Sequence, residues 1–166
     1  MVVLWYHKCA PTKTEKRKEQ QLTMDFIDEY KKLNNISYAS YCDYLKSKYG
    51  NVSGDYNDKN AHKPDLGLFI HHIKENEVPG LSNKLIADEC PQEYQSAENL
   101  VYCNYLEHMF LHILIGEETA GGKNIGVGGV YAHMIPDLND FYENGIRNTK
   151  INPAYYDVIA NDQQGF

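Results

Sequence analysis

The stretch "ENLVYCNYLEHMFLH", residues 98–112, combines a short apolar run with a helical pattern. "LVYC" is typical of a brief buried strand, and the apolar residues that follow have the spacing of a helix beginning near Asn104. His108 and His112 are four residues apart, so in a helix their imidazoles lie on one face and can reach one metal ion. Such pairs also arise by chance on apolar helices. The stretch therefore predicts a strand, a helix and either part of a metal site or a packed face.

A second pair of histidines lies in "GLFIHHIKEN", residues 67–76, where His71 and His72 follow an apolar run that predicts a strand. Adjacent residues of a strand point to opposite faces, so both can serve one site only if the strand ends or bends there. Glu75, Asn76 and the Pro-Gly pair that follows favour such a bend. Four of the seven histidines of the chain fall in these two stretches, which favours one joint site.

The order of these residues forms a known pattern. A His-His pair at a strand end is followed by Asn99 at the start of a second strand, by a histidine nine residues later and by another four residues after that. This pattern resembles the HNH endonuclease family, the ββα-metal nucleases, in the variant whose metal ligands are all histidine. The similarity covers residues 66–116, less than a third of the chain.

The resemblance implies a role for each matching residue. It makes His71, His108 and His112 the metal ligands, His72 the general base, and Asn99 the residue whose amide orients the ring of His72. A neutral imidazole suits the role of base because its ordinary pKa near 6.5 lets it take a proton from water at neutral pH. The amide of Asn99 can accept a ring N–H and so select the tautomer that leaves the other nitrogen free.

The implied cofactor is one divalent metal ion, which would stabilise charge on the leaving 3′ oxygen of a phosphodiester. Three imidazoles bind Zn²⁺, Ni²⁺, Co²⁺ or Mn²⁺ by preference, whereas Mg²⁺ prefers oxygen ligands. Because affinity need not select the working ion, we expect Mg²⁺ or Mn²⁺ in function, with Zn²⁺ or Ni²⁺ binding more tightly.

The predicted fold class is α+β, a mostly helical chain around a small ββα-metal (HNH) module with a short two-stranded antiparallel sheet. At 166 residues the chain fits one compact domain. Within it we distinguish three regions, an N-terminal helical region over 1–63, the HNH-like module over 64–116 and a C-terminal helical extension over 117–166.

Periodicity and turn-forming residues predict the individual elements. Helices are expected over 13–33, 37–49, 83–88, 104–115, 130–142 with a bend at Pro136, and 152–161. Strands are expected within 66–73 and at 100–103, and loops over 50–65 and 116–129. The stretch 73–98 is long for the HNH pattern, and we interpret it as a decoration rather than a loop that reads substrate.

The net charge of −7 is unevenly distributed. Residues 1–63 carry eleven Lys/Arg and eight Asp/Glu, whereas residues 64–166 carry five and fifteen. The basic cluster in the first region is a candidate contact to the nucleic-acid backbone, with a solvated helix face as the favoured alternative. That cluster consists of Lys13, Lys16, Arg17 and Lys18. The acidic second half favours a protein partner or a homodimer contact and opposes close approach of a polyanion.

No run of about 18 apolar residues occurs, and no positive charge precedes the brief apolar run near the start, so we expect a cytoplasmic protein without a membrane partner. The four cysteines form no C-x-x-C pair. This spacing indicates neither a zinc knuckle nor a dense disulfide framework, and it favours reduced thiols.

The leading interpretation is a metal-dependent endonuclease that hydrolyses phosphodiester bonds of DNA. Cleavage of RNA is a second possibility that sequence does not separate from the first. A third interpretation comes from a different class of function, an acidic protein-binding inhibitor or regulator that keeps the ββα fold as a structural metal site. The presence of both His72 and Asn99 argues against this third interpretation, because a structural site needs neither.

Overall fold

The computed structural model describes residues 36–120, 125–160 and 162, and in them the chain has an α+β fold. The helices are α1 (Tyr38–Tyr49), α2 (Lys84–Ala87), α3 (Tyr105–Glu118), α4 (Val127–Gly129), α5 (Ile135–Asn144) and α6 (Ala154–Asp157), and the strands are β1 (Phe69–His72) and β2 (Leu100–Cys103). Short 3-10 turns lie at Pro64–Leu66, Ile73–Asn76, Gln92–Gln95 and Ala97–Asn99, and a π-helical segment at Val130–Met134. The α+β class and the two-stranded sheet are confirmed.

Strands β1 and β2 form an antiparallel pair that ends at the histidine doublet. His71 lies opposite Val101 and His72 opposite Leu100. The 3-10 turn Ile73–Asn76 follows β1 directly, so the strand does end where the doublet requires it. Every residue of β2 is buried, which explains why its sequence is uniformly apolar rather than alternating.

Helix α3 begins as predicted because Asn104 and Glu107 form a capping box. The Asn104 side chain accepts the Glu107 N–H at 2.9 Å, and the Glu107 carboxylate accepts the Asn104 N–H at 2.7 Å. Buried Glu107 also pairs with the ammonium of Lys48 at 2.7 Å. This network ties the start of α3 to the end of α1 and so holds the helix against the sheet.

The predicted helix over 37–49 is confirmed in α1, which Ser37 caps and which ends at Gly50, where φ is +78°. Its buried face meets β2 and α3 in the main core. The buried residues of α1 are those that the periodicity predicts, namely Tyr38, Tyr41, Cys42 and Leu45. The short helix predicted near 83–88 is likewise confirmed, since Asn83 caps α2.

The loop predicted over 116–129 is partly wrong. Helix α3 continues to Glu118, and Val127–Gly129 is helical. Gly116 therefore lies inside α3 and does not stop it. Packing explains the glycine, because a Cβ at this position would collide with the side chain of Val127. It is therefore a packing glycine that lets the following segment approach the helix.

The helix predicted over 130–142 is present, with a π-helical segment just before Pro136. Proline has no N–H to donate, so the regular hydrogen-bond ladder is interrupted at that point. The last predicted helix is present in its centre as α6. The predicted helix 13–33 and the basic cluster within it lie outside the described residues. No helix in the described part of the chain is long and apolar enough to cross a membrane.

Candidate metal centre

The structure brings His71, His108 and His112 together, and we call them the three-histidine cluster. His71 comes from the end of β1, and the other two come from one face of α3. Each offers one ring nitrogen, and these atoms all lie within 4.8 Å of one another. The two elements meet because β2, which pairs with β1, leads through a single residue into α3.

Tyr38 determines which nitrogen of His71 faces the cluster. Its hydroxyl lies 2.9 Å from His71 Nε2 and 2.9 Å from the carbonyl oxygen of Ile73. A carbonyl can only accept, so the hydroxyl donates its proton to Ile73 and accepts the N–H of His71 Nε2. The lone pair of His71 is therefore on Nδ1.

All three histidines are neutral at physiological pH. Burial, aided by the neighbouring imidazoles, lowers the pKa of His71 well below its ordinary value. Burial likewise lowers the pKa of His108 to about 3 and that of His112 to about 4. Neutral imidazoles present lone pairs, which is the form that binds metal.

Two features of the cluster suit a bound cation. His71 Nδ1 and His112 Nδ1 are buried without a hydrogen-bond partner in the described part of the chain, and the Nε2 atoms of His108 and His112 lie 3.3 Å apart, where one ring N–H can bridge them when no ion is bound. Metal–imidazole bonds of about 2.0–2.1 Å place two ligands of a tetrahedral ion about 3.3–3.4 Å apart. The residues present therefore fit a borderline divalent ion such as Zn²⁺, Ni²⁺, Co²⁺ or Mn²⁺.

Glu75 is a neighbour of the cluster that the sequence analysis treated only as part of a bend. Its carboxylate oxygen Oε2 lies 3.6 Å from His112 Nε2 and 3.7 Å from His71 Nδ1. Burial raises the pKa of this carboxyl to about 7, although a backbone hydrogen bond from Leu81 opposes the shift. The four-residue spacing from His71 was an available signal, but it indicates a shared face only where the chain turns as a helix does.

His72 points into a separate pocket that it forms with Tyr56 and Gln95, here called the His72 pocket. Its Nε2 lies 3.1 Å from Gln95 Oε1, and Gln95 Nε2 donates to the carbonyl oxygen of Leu81 at 3.1 Å. The carbonyl can only accept, so the amide oxygen must face His72 and the ring must carry its proton on Nε2. Nδ1 of His72 is thus free to accept a proton.

The environment of His72 is enclosed. The ring of Tyr56 lies 4.3 Å from that of His72 between centroids, and His72 is only 1% exposed. Burial lowers the pKa of His72, opposed by the hydrogen bond to Gln95, so this ring is also neutral at pH 7.

Asn99 lies differently from what the resemblance implies. Its amide donates to the carbonyl oxygen of Glu93 at 2.8 Å and lies 3.5 Å from Ser96 Oγ. These contacts close the 3-10 turns before β2. The amide that meets the ring of His72 is that of Gln95, which the sequence analysis did not single out.

The stretch 73–98 contributes contacts to the site, and its interpretation as a decoration rather than a loop that reads substrate stays a prediction. The carbonyl of fully buried Leu81 accepts from Gln95, and a backbone hydrogen bond from Leu81 lowers the pKa of Glu75 against the effect of burial. Leu81 is therefore near Glu75, which lies beside the three-histidine cluster, and also contacts Gln95, which lies in the His72 pocket.

Comparisons of the chain with protein-family models, curated proteins and solved structures give no match. The chemistry of this site therefore rests on its own residues and their geometry.

Proposed function

We propose that this protein is a metal-dependent endonuclease that hydrolyses phosphodiester bonds of DNA. The observation that carries the proposal is the convergence of three neutral imidazoles beside a fourth, separately oriented imidazole. A ligand set alone would suit any bound metal. A neighbouring histidine with one nitrogen held as a donor and the other left free is what a general base requires.

His71, His108 and His112 would hold a divalent ion, and a bound ion would stabilise negative charge on the phosphate and the leaving 3′ oxygen. His72 would take the proton of the attacking water on Nδ1. Gln95 would accept the Nε2–H of that ring and so keep the proton on Nε2, which leaves Nδ1 available to the attacking water. His72 directly follows the proposed ligand His71 at the end of β1, so the base and the cluster would act on one substrate at that point.

A phosphate would reach the cluster from the side of α3. His71 and His72 are each 1% exposed, whereas His108 and His112 are half-buried and so border solvent. The basic residues Lys13, Lys16, Arg17 and Lys18 are candidates for contacts with the nucleic-acid backbone, because phosphate binding depends on Lys and Arg.

Two observations favour a second function, an acidic binding factor that keeps a structural metal site. The enclosure of His72 under Tyr56 would be ordinary for a structural site, and the net charge of −7 suits binding to a basic surface better than binding to DNA. The presence of a free, oriented Nδ1 on His72 favours the nuclease.

The test is cleavage of supercoiled plasmid by metal-stripped protein that is resupplied with Mg²⁺, Mn²⁺, Ni²⁺ or Zn²⁺, with a single-stranded RNA run in parallel. We expect metal-dependent nicking of the plasmid that His72→Ala removes and that His133→Ala, a substitution of an exposed histidine, leaves unchanged. Cleavage of the RNA alone would make the protein a ribonuclease. Bound metal without cleavage of either substrate would favour the binding factor.

A further inference from the structure

Glu75 has the position of a ligand rather than of an ordinary buried acid. Its Oε2 faces His71 Nδ1 at 3.7 Å and His112 Nε2 at 3.6 Å, so one oxygen is shared between two of the three histidines. The Glu75 residue is 7% exposed.

The electrostatic environment of Glu75 lacks a cation. Among the described residues its ion-pair contacts are to His71 and His112 alone, and no lysine or arginine pairs with it. A buried carboxylate without a cationic partner is costly, and a cation bound between the carboxylate and the two rings would remove that cost. Glu107 shows the contrast, because the still more deeply buried carboxylate there has the ammonium of Lys48 at 2.7 Å.

We infer that Glu75 is a fourth protein ligand to the divalent ion of the three-histidine cluster and that it shifts the preference of the site toward Mn²⁺. The inference rests on the metal site of the proposed function and adds to it a ligand and a selectivity. Imidazole suits Zn²⁺ and Ni²⁺, whereas carboxylate oxygen suits harder ions such as Mn²⁺. A site of three imidazoles and one carboxylate lies between these preferences.

The charge of the site supports the same assignment. Three neutral imidazoles and one carboxylate leave a divalent centre with one net positive charge, which can still attract a phosphate. The same carboxylate excludes a second anion from the buried side of the cluster, so a phosphate would approach only from the half-buried side formed by His108 and His112.

The experiment measures the dissociation constants of the full chain for Mn²⁺ and Ni²⁺, by competition with a chromophoric chelator, for wild type, Glu75→Gln and Glu77→Gln. Glu77 is the matched control because it lies two residues away, is exposed and pairs with Lys74 at 2.6 Å, so its substitution removes the same charge without touching the cluster. We expect Glu75→Gln to weaken Mn²⁺ binding at least about 10-fold and Ni²⁺ binding by a smaller factor. Glu77→Gln should leave both constants within about twofold, since it changes only a screened surface charge.

A second measurement reports coordination directly. The visible absorption of bound Co²⁺ depends on its ligands, so Glu75→Gln should change the spectrum and Glu77→Gln should not. If Glu75→Gln fails to fold by circular dichroism, Glu75→Asp takes its place, because it keeps the charge but withdraws the oxygen by one methylene. It should weaken Mn²⁺ more than Ni²⁺ and change the Co²⁺ spectrum.

Unchanged Mn²⁺ affinity together with an unchanged Co²⁺ spectrum in the folded Glu75 variant would overturn the inference. Equal losses for Mn²⁺ and Ni²⁺ would overturn the selectivity, and a wild-type chain that binds none of these ions would overturn the whole assignment. None of these readouts depends on cleavage. A protein that binds Mn²⁺ through Glu75 and cuts no nucleic acid would retain this inference while losing the proposed nuclease.

Discussion

The three-histidine cluster and the His72 pocket are two different environments at the end of β1, although their central residues, His71 and His72, are neighbours in the chain. In the cluster, three rings each offer one nitrogen to a common point, and Glu75 Oε2 lies 3.6–3.7 Å from two of those nitrogens. In the His72 pocket, a single ring is held by one amide and covered by one aromatic ring. Two residues with the same imidazole side chain are thus suited to two different kinds of chemistry.

The difference teaches that the partner of the second ring nitrogen determines what a histidine can do. The hydroxyl of Tyr38 accepts the Nε2–H of His71 and leaves the lone pair of Nδ1 facing the ring nitrogens of the other two histidines, so His71 is suited to binding a cation. Gln95 holds Nε2 of His72 and leaves Nδ1 without a competing ligand, so His72 is suited to accepting a proton. Leu81 contributes to the His72 pocket, because its carbonyl accepts from the Gln95 amide.

The largest expected effect comes from removing two of the three proposed metal ligands. The double variant His108→Ala/His112→Ala removes two of the three ring nitrogens, and we expect metal affinity to fall by more than about 1,000-fold, because loss of a residue that merely orients a ligand already costs 10–100-fold. Alanine preserves helix α3, so the fold should persist by circular dichroism. Titration with a competing chelator measures the loss. Stoichiometric tight binding in this variant would show that the metal binds elsewhere.

Substitution of the proposed base should distinguish the role of His72 from that of the three-histidine cluster. We expect His72→Ala to slow plasmid nicking by about 100–10,000-fold, the usual contribution of a general base, while metal affinity stays within about threefold of wild type. Nicking is followed by gel electrophoresis at saturating Mn²⁺. Metal affinity that falls together with the rate would mean that His72 belongs to the ligand set and that the contrast between the pockets is wrong.

Acid should destabilise the metal-free protein. The pKa values of His108 and His112 are lowered to about 3 and about 4, so the stability that depends on keeping these rings neutral is complete above the unfolded value of 6.5 and is lost as pH falls. His71 acts in the same direction. Glu75 acts in the opposite direction, because its pKa is raised to about 7 and its protonation stabilises the fold as pH falls.

The histidines outnumber the carboxylate, so we expect a net loss on the order of 2 kcal/mol in the free energy of unfolding between pH 7 and pH 5. Urea titrations of the metal-stripped protein at the two pH values measure it. The double variant His108→Ala/His112→Ala should show a smaller loss or a gain. An equal loss in the variant would assign the acid sensitivity to groups outside the cluster.

Tyr38→Phe tests the orientation of the cluster. It removes the hydroxyl that accepts the N–H of His71, and we expect metal binding to weaken by about 10–100-fold, as for other residues that orient a metal ligand. Tyr102→Phe is the matched control, because it removes an equally buried hydroxyl that donates to the Ala61 carbonyl at 2.6 Å, away from the cluster. If both variants weaken metal binding equally, the effect comes from lost stability and not from the tautomer of His71.

The smallest expected effect concerns the tautomer of His72. Gln95→Leu removes the oxygen that accepts the Nε2–H, so we expect the ring to lose its fixed tautomer, with a fall in nicking rate of about 10-fold and unchanged metal affinity. Nitrogen NMR of the imidazole measures the tautomer directly. Asn99→Leu is the control, since that side chain contacts Glu93 and Ser96. A tautomer that responds to Asn99 rather than to Gln95 would restore the role that the HNH resemblance implies.

The strands and helices around the site could be predicted because their signals are local. The apolar run of β2, the cap at Asn104 and the spacing of His108 and His112 each involve residues that are close in sequence. Where a local rule was used without its context it failed, as at Gly116, which packs against Val127 rather than ending the helix.

By itself the sequence determined which residue types could form the site and on which elements they would lie, because the periods of strands and helices follow from backbone geometry. Only the tertiary structure decided which groups meet. The contacts of Gln95 with His72, of Tyr38 with His71 and of Glu75 with His112 join residues 23, 33 and 37 positions apart. Such contacts depend on how turns without periodicity fold back on the core, and no spacing rule encodes their path.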